Sequence, residues 1–371
     1  MKIVITGAGG GHFYPLIAVI ERVRKEAFDK KMVQPEAFFF SDKPYDEQSL
    51  FDSQIKFIEI PAGKLRLYPS IDNFTDIFKT LWGCILAIAK LYSIYPDVVF
   101  AKGGYASFPT LLASRILSIP VIIHESDTVP GRTTVWAGKF AYRVAISYPQ
   151  AISFYPKEKT ALTGQPIRDA ILPKEDYKRI YNGKERPVIL IIGGSQGSQL
   201  INDNILKVLP ELLKKYDIVH QVGTQNVEDM KKVTESILRN NEFRDHYFVD
   251  GWIDVDIFYP KVDLVITRAG SAMFEMAVWQ LPMLVIPINK QISRDQTSNA
   301  YAMAGLGIAT VIEENNLSPS IILSEISRIL DDKENYKKMS ESGISKFDNS
   351  RHAASVIANE LIEIGLSHYE S

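Results

Sequence analysis

Three glycines and a histidine follow the first strand pattern, in the stretch "TGAGGGHFYP". A glycine loop at a helix start presents backbone N–H groups to a phosphate, and His12 would place an imidazole beside that phosphate. A dinucleotide fingerprint would need glycine at this position and an acid about 20 residues later, yet the nearest acid after the next strand is Asp42. The loop therefore disfavours a nicotinamide or flavin site. His12 could instead cap the helix or pack on Phe13.

A second glycine loop, "GGSQGS" at 193–198, follows another strand pattern. Its backbone N–H groups could bind an anion with help from the Ser195 hydroxyl. The alternative is a tight strand-to-helix turn that Ser198 caps.

Two further segments carry side chains suited to a nucleotide sugar. "TRAGSAMFE" places Glu275 in the first turn of a predicted helix, where a carboxylate can bind ribose hydroxyls or simply favour the helix dipole. In "DQTSNA", Gln296 and Asn299 lie three residues apart on one helical face, so their amides could bind sugar hydroxyls or belong to a solvated helix start.

Short β-branched runs alternate with helical patterns along the whole chain. Continuous apolar strands separated by helices indicate parallel sheets covered on both faces, so each half is predicted to be a doubly wound α/β domain. Prolines 149, 156, 166 and 173 interrupt the pattern, which places the domain junction within 148–173. Two such domains would face one another across a cleft, the expected ligand site. The predicted strands are "KIVIT", "DVVFA", "PVIIH", "RVAIS", "VILII", "DIVHQV", "DLVIT" and "MLVIP".

Composition restricts the function classes. The 371 residues suggest two domains, and 42 basic against 44 acidic residues give no overall field that would favour nucleic acid. The single cysteine, Cys84, excludes an intramolecular disulfide and fits a reducing compartment. We find no charged and apolar leader, and no uncharged run near the roughly 18 residues that span a bilayer. We therefore expect a soluble cytoplasmic protein.

Seven sequence blocks follow one another along the chain: "TGAGGGHFYP", "AKGGYASFP", "IPVIIHESDTVPGRTTVWA", "LTGQPIR", "IIGGSQGS", "TRAGSAMFE" and "DQTSNA". In this order and at these spacings they resemble the MurG family of peptidoglycan UDP-N-acetylglucosamine transferases, whose fold is GT-B. The resemblance covers essentially the whole chain and predicts an N-terminal acceptor and membrane-facing domain at 1–160 and a UDP-GlcNAc-binding domain at 161–348. A C-terminal helix at about 349–371 could pack back on the first domain.

The resemblance implies transfer of N-acetylglucosamine from UDP-GlcNAc to the 4-hydroxyl of undecaprenyl-diphospho-N-acetylmuramoyl-pentapeptide (lipid I), with inversion, to give lipid II. His12 matches the family's proposed general base. Carried over by position, the acceptor-binding residues are Gly9, Gly10, Gly11 and Tyr105. The donor-binding residues are Arg168, Ser195, Gln196, Gly197, Ile253 (a backbone contact to uracil), Ser271, Glu275, Gln296 and Asn299.

Two departures from the family pattern leave roles open. The family usually has "HEQN" where this chain has "HESD", so Asp127 is a second candidate base, and Glu125 belongs to the same catalytic segment. The segment 270–275 is one residue shorter than the common family spacing, which would turn Glu275 by about 100° from a fixed helix start.

The "DVD" at 254–256 could suggest a metal that holds the diphosphate. We favour Asp254 as a helix cap and expect no cofactor and no protein-bound metal, because the resemblance implies phosphate contacts without one.

The lipid-linked acceptor requires contact with the inner face of the cell membrane. Residues 73–95 have a helical pattern whose first half is aromatic, and Phe74, Phe78 and Trp82 are predicted to lie in the lipid interface, with Lys64, Arg66 and Lys79 nearby. The alternative is a core helix, which we expect for 85–91.

Two other functions remain open at this point. A UDP-N-acetylglucosamine 2-epimerase would share the architecture and the donor. The departures near Asp127 and Glu275 could also mark a nucleotide-sugar-binding subunit without turnover.

Overall fold

The computed structural model describes residues 1–64, 71–174, 176–179, 185–194, 196–289 and 296–367. The chain divides into two compact units, Met1–Asp169 with Asn349–Ser371, and Ala170–Asp348. Each unit has its own parallel sheet with helices on both faces, as the alternation of strand and helix patterns predicted.

Among its described residues the first unit has a seven-stranded sheet in the order β3-β2-β1-β4-β5-β6-β7, and every paired neighbour is parallel. The strands are β1 (Lys2–Gly7), β2 (Glu36–Ser41), β3 (Ile55–Glu59), β4 (Val98–Gly103), β5 (Val121–Glu125), β6 (Arg143–Ile146) and β7 (Thr160–Leu162). The helices are α1 (Gly10–Asp29), α2 (Glu47–Asp52), α3 (Ile71–Ile94), α4 (Phe108–Ile116), α5 (Arg132–Gly138) and the C-terminal α13 (Asp348–Ser367).

Alternate side chains of the first sheet enter two separate cores. Ile3 and Ile5 of β1 pack with α1 and with Ile357 and Leu361 of α13, whereas Val4 packs on the opposite face with α3 and α5. The C-terminal helix thus covers the first sheet beside α1.

The boundary between the units lies after Asp169, nine residues beyond the predicted boundary at residue 160. Strand β7 pairs with β6, which makes 160–162 part of the first sheet. The Asp169 carboxylate then forms ion pairs with Arg22 at 3.3 Å and Lys25 at 3.1 Å, both on α1. These contacts hold the segment 163–169 on the first unit.

The described residues of the second unit form a six-stranded parallel sheet in the order β10-β9-β8-β11-β12-β13. The strands are β8 (Val188–Ile192), β9 (Asp217–Gln221), β10 (Tyr247–Asp250), β11 (Leu264–Thr267), β12 (Met283–Val285) and β13 (Ala309–Val311). The helices are α6 (Gln199–Leu212), α7 (Val227–Leu238), α8 (Val255–Phe258), α9 (Ala272–Val278), α10 (Gln296–Gly305), α11 (Pro319–Leu330) and α12 (Lys333–Lys346).

The eight strands predicted from apolar runs are all present, and they form the centre of both sheets. The other five strands were not among the eight quoted runs. β2 is a buried apolar run that was anticipated only as the strand before Asp42. The outer strands β3, β7, β10 and β13 are short and partly exposed, so they lack a continuous apolar run. Within each unit the parallel strands end at one edge, and the loops that leave this edge carry most of the predicted site residues.

Candidate active site

The first glycine loop joins β1 to α1. Gly9 has φ of 77°, a left-handed conformation that favours glycine, and its carbonyl accepts the backbone N–H of His12 at 3.2 Å. A Cβ added at Gly9 would meet no atom within 4 Å, so this point of the loop faces open space. Gly10 and Gly11 form the first turn of α1, where backbone N–H groups can bind an anion. The predicted acceptor loop is therefore available to a ligand.

His12 lies in the first turn of α1 with a partly exposed side chain. Its Nδ1 atom is buried and has no hydrogen-bond partner in the described part of the chain. Burial and the charge of Lys102 lower the pKa of His12 to about 4, while the charge of Asp127 and a hydrogen bond to the Lys102 backbone oppose this shift. The ring is therefore neutral near pH 7 and able to accept a proton. Its role as the base stays a prediction.

Lys102 is a component of this site that sequence analysis missed. It is the penultimate residue of β4, and only 1% of its surface is exposed. Its Nζ lies 2.6 Å from Nδ1 of His124, hydrogen-bonds to Oγ of Ser126, and lies 3.3 Å from Oε1 of Gln165. A lysine within the otherwise apolar run "DVVFAKGG" was the available signal, since lysine is almost never fully buried without partners.

Glu125 is buried and its carboxylate is occupied by structural hydrogen bonds. Oε1 accepts the backbone N–H of Asp127 at 3.0 Å, and Oε2 accepts the backbone N–H of Gly131 at 3.1 Å and the hydroxyl of Thr134 at 2.5 Å. Burial and the Asp127 charge raise the pKa of Glu125, which these hydrogen bonds oppose. These contacts hold the turn 126–131 in place, and a catalytic role for Glu125 stays a prediction.

Asp127 is the more accessible of the two acids. It is partly exposed, whereas Glu125 is 3% exposed. Its charge acts on both His12 and Lys102. Asp127 therefore belongs to the same electrostatic group as His12, and the choice of base between them stays open.

Tyr105 follows β4 and is bound to the end of β2. Its hydroxyl donates to Oδ2 of Asp42 at 2.5 Å, while the Tyr45 hydroxyl donates to Oδ1 of the same carboxylate at 2.9 Å. Burial and Asp42 raise the pKa of Tyr105. Asp42 thus fixes Tyr105 at the carboxyl edge of the sheet, and contact of Tyr105 with the acceptor stays a prediction.

Arg168 belongs to the first unit rather than to the predicted UDP-binding domain. Its guanidinium lies 5.1 Å from the ring centroid of Tyr14 on α1, and its charge acts on Glu21 of the same helix. Its Nε atom is buried without a hydrogen-bond partner within the described ranges. The predicted contact of Arg168 with the donor phosphate remains untested.

The second glycine loop joins β8 to α6, and Ser195 lies outside the described residues. Gln196 is exposed, and Gly197 has φ of 76° and packs so closely on the Val222 carbonyl that no Cβ would fit. Ser198 caps α6, since its Oγ accepts the backbone N–H of Ile201 at 3.4 Å. The capped turn is confirmed, and anion binding by the loop stays a prediction.

Arg268 connects several loops at the carboxyl edge of the second sheet. Its guanidinium donates to Oγ of Ser198 at 2.6 Å, to the carbonyl of Ile286 at 3.0 Å and to Oε1 of Glu314 at 2.7 Å. These partners follow β8, β12 and β13, whereas Arg268 itself follows β11. One largely buried side chain therefore sets the relative positions of four loops.

The predicted uracil and ribose contacts also lie at this edge. Ile253 is buried, and its backbone N–H donates to Oε1 of Gln221 at 3.1 Å, so uracil could use this N–H only by replacing that bond. Ser271 precedes α9, and Glu275 lies in its first turn, partly exposed. The Tyr259 hydroxyl donates to Oε2 of Glu275 at 3.4 Å. The carboxylate thus remains on the accessible side of α9 despite the shortened segment.

Gln296 and Asn299 begin α10 in different environments. Gln296 is partly exposed, and its Oε1 accepts the backbone N–H of Ile288 at 3.2 Å. Asn299 is 3% exposed, and its Nδ2 lies 3.5 Å from the carbonyl of Ala269. Gln296 is therefore the more accessible of the two predicted sugar-facing amides. The alternative prediction, a solvated helix start, is wrong for Asn299.

A cavity of about 550 Å³ lies along α10. It is lined by Pro287, Asn289, Thr297, Ser298, Tyr301, Glu313, Glu314 and Asn315.

Helix α3 has one buried and one exposed apolar face. Ala87 and Leu91 are fully buried in the core under the first sheet, whereas the other face carries side chains that are half or more exposed. The exposed side chains are Phe74 (66%), Ile77, Phe78 (57%), Leu81, Trp82 (59%) and Ile85 (59%). The core prediction for 85–91 is thus wrong at Ile85, whose position continues the exposed face.

By length and composition, residues 74–94 could cross a membrane, which the search for uncharged runs did not anticipate. The buried face of α3 argues against a spanning helix, because its apolar side chains already complete the core of the first unit.

Three cations were predicted to lie near the lipid-facing part of α3. Lys64 lies 5.2 Å from the ring centroid of Tyr105, and Lys79 pairs with Asp76 at 3.5 Å. Arg66 lies outside the described residues.

Among the described residues, no group of three or more histidine, cysteine, aspartate or glutamate side chains is arranged to hold a metal ion. Asp254 occupies the N-cap position of α8 as predicted, but its side chain makes no capping hydrogen bond. The expected absence of a metal cofactor stays a prediction.

Two family models match this chain in order. The glycosyltransferase family 28 N-terminal domain matches residues 3–146, and the family 28 C-terminal domain matches residues 188–356. The chain belongs to glycosyltransferase family 28. It is 33% identical over 369 residues to a Bacillus anthracis protein named UDP-N-acetylglucosamine--N-acetylmuramyl-(pentapeptide) pyrophosphoryl-undecaprenol N-acetylglucosamine transferase 2, with 98% of this chain and 99% of the relative covered. The resemblance predicted from the seven sequence blocks is confirmed.

Solved structures confirm the GT-B fold of this family 28 glycosyltransferase. Acinetobacter baumannii MurG has a TM-score of 0.72 and 22% identity, covering 98% of this chain and 99% of its own. A putative UDP-N-acetylglucosamine 2-epimerase from Listeria monocytogenes reaches 0.68 at 16% identity, covering 100% and 96%. The fold therefore accommodates both activities, and the family models favour the transferase.

Proposed function

We propose that this family 28 glycosyltransferase moves N-acetylglucosamine from UDP-GlcNAc to the 4-hydroxyl of the muramyl sugar of undecaprenyl-diphospho-N-acetylmuramoyl-pentapeptide, with inversion. The observation that carries the proposal is the full-length similarity to a transferase named for these two substrates. The placement of His12 at the glycine loop of the first unit adds a proton acceptor beside a predicted diphosphate site.

In a single displacement, the acceptor oxygen forms a bond to C1 of N-acetylglucosamine while the C1–O bond to UDP breaks. The electron pair of that bond leaves with UDP, and His12 accepts the proton of the attacking hydroxyl. A pKa of about 4 makes the free imidazole a weak base. A diphosphate bound at Gly9–Gly11 would place negative charge beside the ring and raise its pKa, so acceptor binding itself activates the base.

On the donor side, the proposal assigns UDP to the carboxyl edge of the second sheet. Gly197, Ile253 and Glu275 lie on loops or helix starts at this edge, and Arg268 holds the loops together. We further propose that this diphosphate needs no protein-bound metal, so transfer should persist in EDTA. A strict requirement for a divalent cation would contradict this part.

The acceptor's lipid chain suggests a peripheral contact with the inner face of the cell membrane, and the exposed face of α3 fits that contact. Three aromatic side chains there, Phe74, Phe78 and Trp82, are each more than half exposed, and such residues favour the lipid interface. Replacing Phe78 and Trp82 with serine should abolish binding to anionic liposomes without lowering Tm. The matched control is Phe51→Ser on α2, an exposed phenylalanine of the same unit. A large fall in Tm would instead show that α3 is ordinary core.

The activity test is incubation of the purified chain with UDP-GlcNAc and a lipid I analogue, followed by mass spectrometry of the product. A disaccharide lipid supports the proposal. Conversion of UDP-GlcNAc to its 2-epimer without acceptor would indicate the epimerase instead. Tight UDP-GlcNAc binding with neither product would indicate a non-catalytic subunit.

A further inference from the structure

The side chain of Lys102 is surrounded by three hydrogen-bond partners, each of which can accept an N–H bond. Burial lowers the pKa of Lys102 to about 7, while the charges of Glu125 and Asp127 oppose this shift, so Lys102 is a cation below about pH 7. His124 Nε2 lies 2.9 Å from the Gly164 carbonyl, which can only accept, so Nε2 carries the proton and Nδ1 is an acceptor. Lys102 Nζ must therefore donate to Nδ1 at 2.6 Å, and it also donates to Oε1 of Gln165 at 3.3 Å. The Ser126 hydroxyl is the third partner. Three such partners match the three N–H bonds of an ammonium group.

The partners of Lys102 are themselves fixed by neighbouring strand ends. The Ser147 hydroxyl, directly after β6, donates to Oε1 of Gln165 at 3.1 Å and lies 3.3 Å from Nε2 of His124. Burial lowers the pKa of His124 well below its usual value, and the charge of Lys102 lowers it further. His124 is thus a neutral acceptor rather than a second cation, and the positive charge of this network below about pH 7 is that of Lys102.

The Lys102 side chain begins close to His12, and its charge lowers the pKa of His12. A Cβ built on Gly7 would lie 3.4 Å from Cβ of His12 and 3.5 Å from Cβ of Lys102, so the two side chains begin less than about 7 Å apart. The titratable groups that act on His12 and Lys102 are His124 and Glu125 on β5 and Asp127 after it. Asp127 alone would draw a proton onto His12, because a neighbouring carboxylate favours imidazolium.

We propose that Lys102 is a positioning residue for the transfer reaction, a buried cation that offsets the Asp127 carboxylate and keeps His12 unprotonated until the acceptor binds. The proposal rests on the proposed function for the identity of the reaction, but its electrostatic part concerns the free protein. Lys102 contacts neither substrate in this scheme. It acts through His12, which takes the hydroxyl proton, while the Asp127 carboxylate stabilises the imidazolium that forms.

The test is Lys102→Met, which keeps an unbranched side chain and removes the charge. His12 is followed by NMR of histidine-labelled protein without substrate, with its signal assigned by comparison with His12→Asn. In the native protein His12 should remain neutral from pH 8 to 5. In Lys102→Met its midpoint should rise by roughly one pH unit, because a neighbouring positive charge that disfavours imidazolium has been removed. The apparent pKa on the acid side of the pH profile of kcat/KM for transfer should rise by the same amount.

The matched control is Lys56→Met, which removes an exposed lysine on β3 of the same unit and should move neither value. If Lys102→Met folds and His12 titrates unchanged, the proposal is overturned, whatever the transfer activity. If Lys102→Met does not fold, titration of His12 in the native protein still tests the proposal. A midpoint at or above pH 6.5 would contradict it, because a neighbouring cation should keep the ring neutral at that pH. Failure of the proposed function would appear separately, as a native protein with no disaccharide product.

Discussion

Replacing Glu125 with glutamine distinguishes a structural carboxylate from a catalytic one. The glutamine oxygen can accept from Gly131 and Thr134, but its NH₂ group then faces the backbone N–H of Asp127, which loses its acceptor. An unsatisfied buried donor costs about 1–3 kcal/mol, and the remaining hydrogen bonds, from Gly131, Thr134 and the Tyr155 hydroxyl, weaken as the charge is lost. The relief of a buried charge offsets part of this cost, so we expect a loss of about 2 kcal/mol.

That loss corresponds to a fall in Tm of about 4–8 °C, measurable by scanning calorimetry. Burial raises the pKa of Glu125 above its unfolded value, so the native chain gains stability from this group as the pH falls through the folded pKa. The variant lacks this gain, and the difference in Tm should therefore widen from neutral pH toward the ordinary carboxyl range.

Transfer assays at a temperature where both proteins are folded complete the test. The variant should retain measurable turnover, because Glu125 holds the turn and does not move a proton. Glu158→Gln, an exposed glutamate of the same unit, is the control and should change neither property. Unchanged Tm together with abolished turnover would refute this reasoning and restore Glu125 as a catalytic residue.

Other substitutions test the rest of the site. His12→Ala should lower kcat by roughly 10²- to 10⁴-fold with little change in UDP affinity, and Asp127→Asn should be mild; the reverse pattern in steady-state assays would make Asp127 the base. The unit Ala170–Asp348 has its own sheet and core and should bind UDP in calorimetry when expressed alone; a folded fragment blind to UDP would contradict the donor assignment. Arg268→Met should lower Tm by several degrees and weaken UDP binding, since the Ser198 loop loses its anchor; an unchanged UDP affinity would show that Arg268 does not shape this site.

Local sequence was sufficient to predict the central strands of both sheets. Strands such as β1 and β8 are continuous apolar runs whose alternate residues enter cores on both sheet faces, and a run of this kind has few other stable arrangements in a globular chain. Glycine at position 9 follows from the same local logic, because the turn needs a positive φ. The seven motif segments listed in the sequence analysis were, in their order, specific enough to identify the family.

The sequence predicted only part of the exposed apolar face of α3. Helical spacing grouped Phe74, Phe78 and Trp82 on one face, and their exposure agrees with that grouping. Periodicity does not say where the exposed face stops, however, and Ile85 continues it because the packing partners of α3 reach only the opposite face.

Only the tertiary structure decided which side chains of the site act on one another. Lys102, His12, Gln165 and Asp127 are distant in sequence and meet because parallel strands end at the same edge of the sheet. Motif order determined that a histidine would lie beside a glycine loop at a helix start. The charge state of that histidine depends on burial and on a lysine from another strand, and neither can be read from residues near position 12. Likewise, the sequence offered Glu125 and Asp127 as two nearby acids. The donors that reach Glu125 from the turn and from α5 give the two acids different environments, because both oxygens of Glu125 are hydrogen-bonded in the interior, whereas Asp127 is partly exposed.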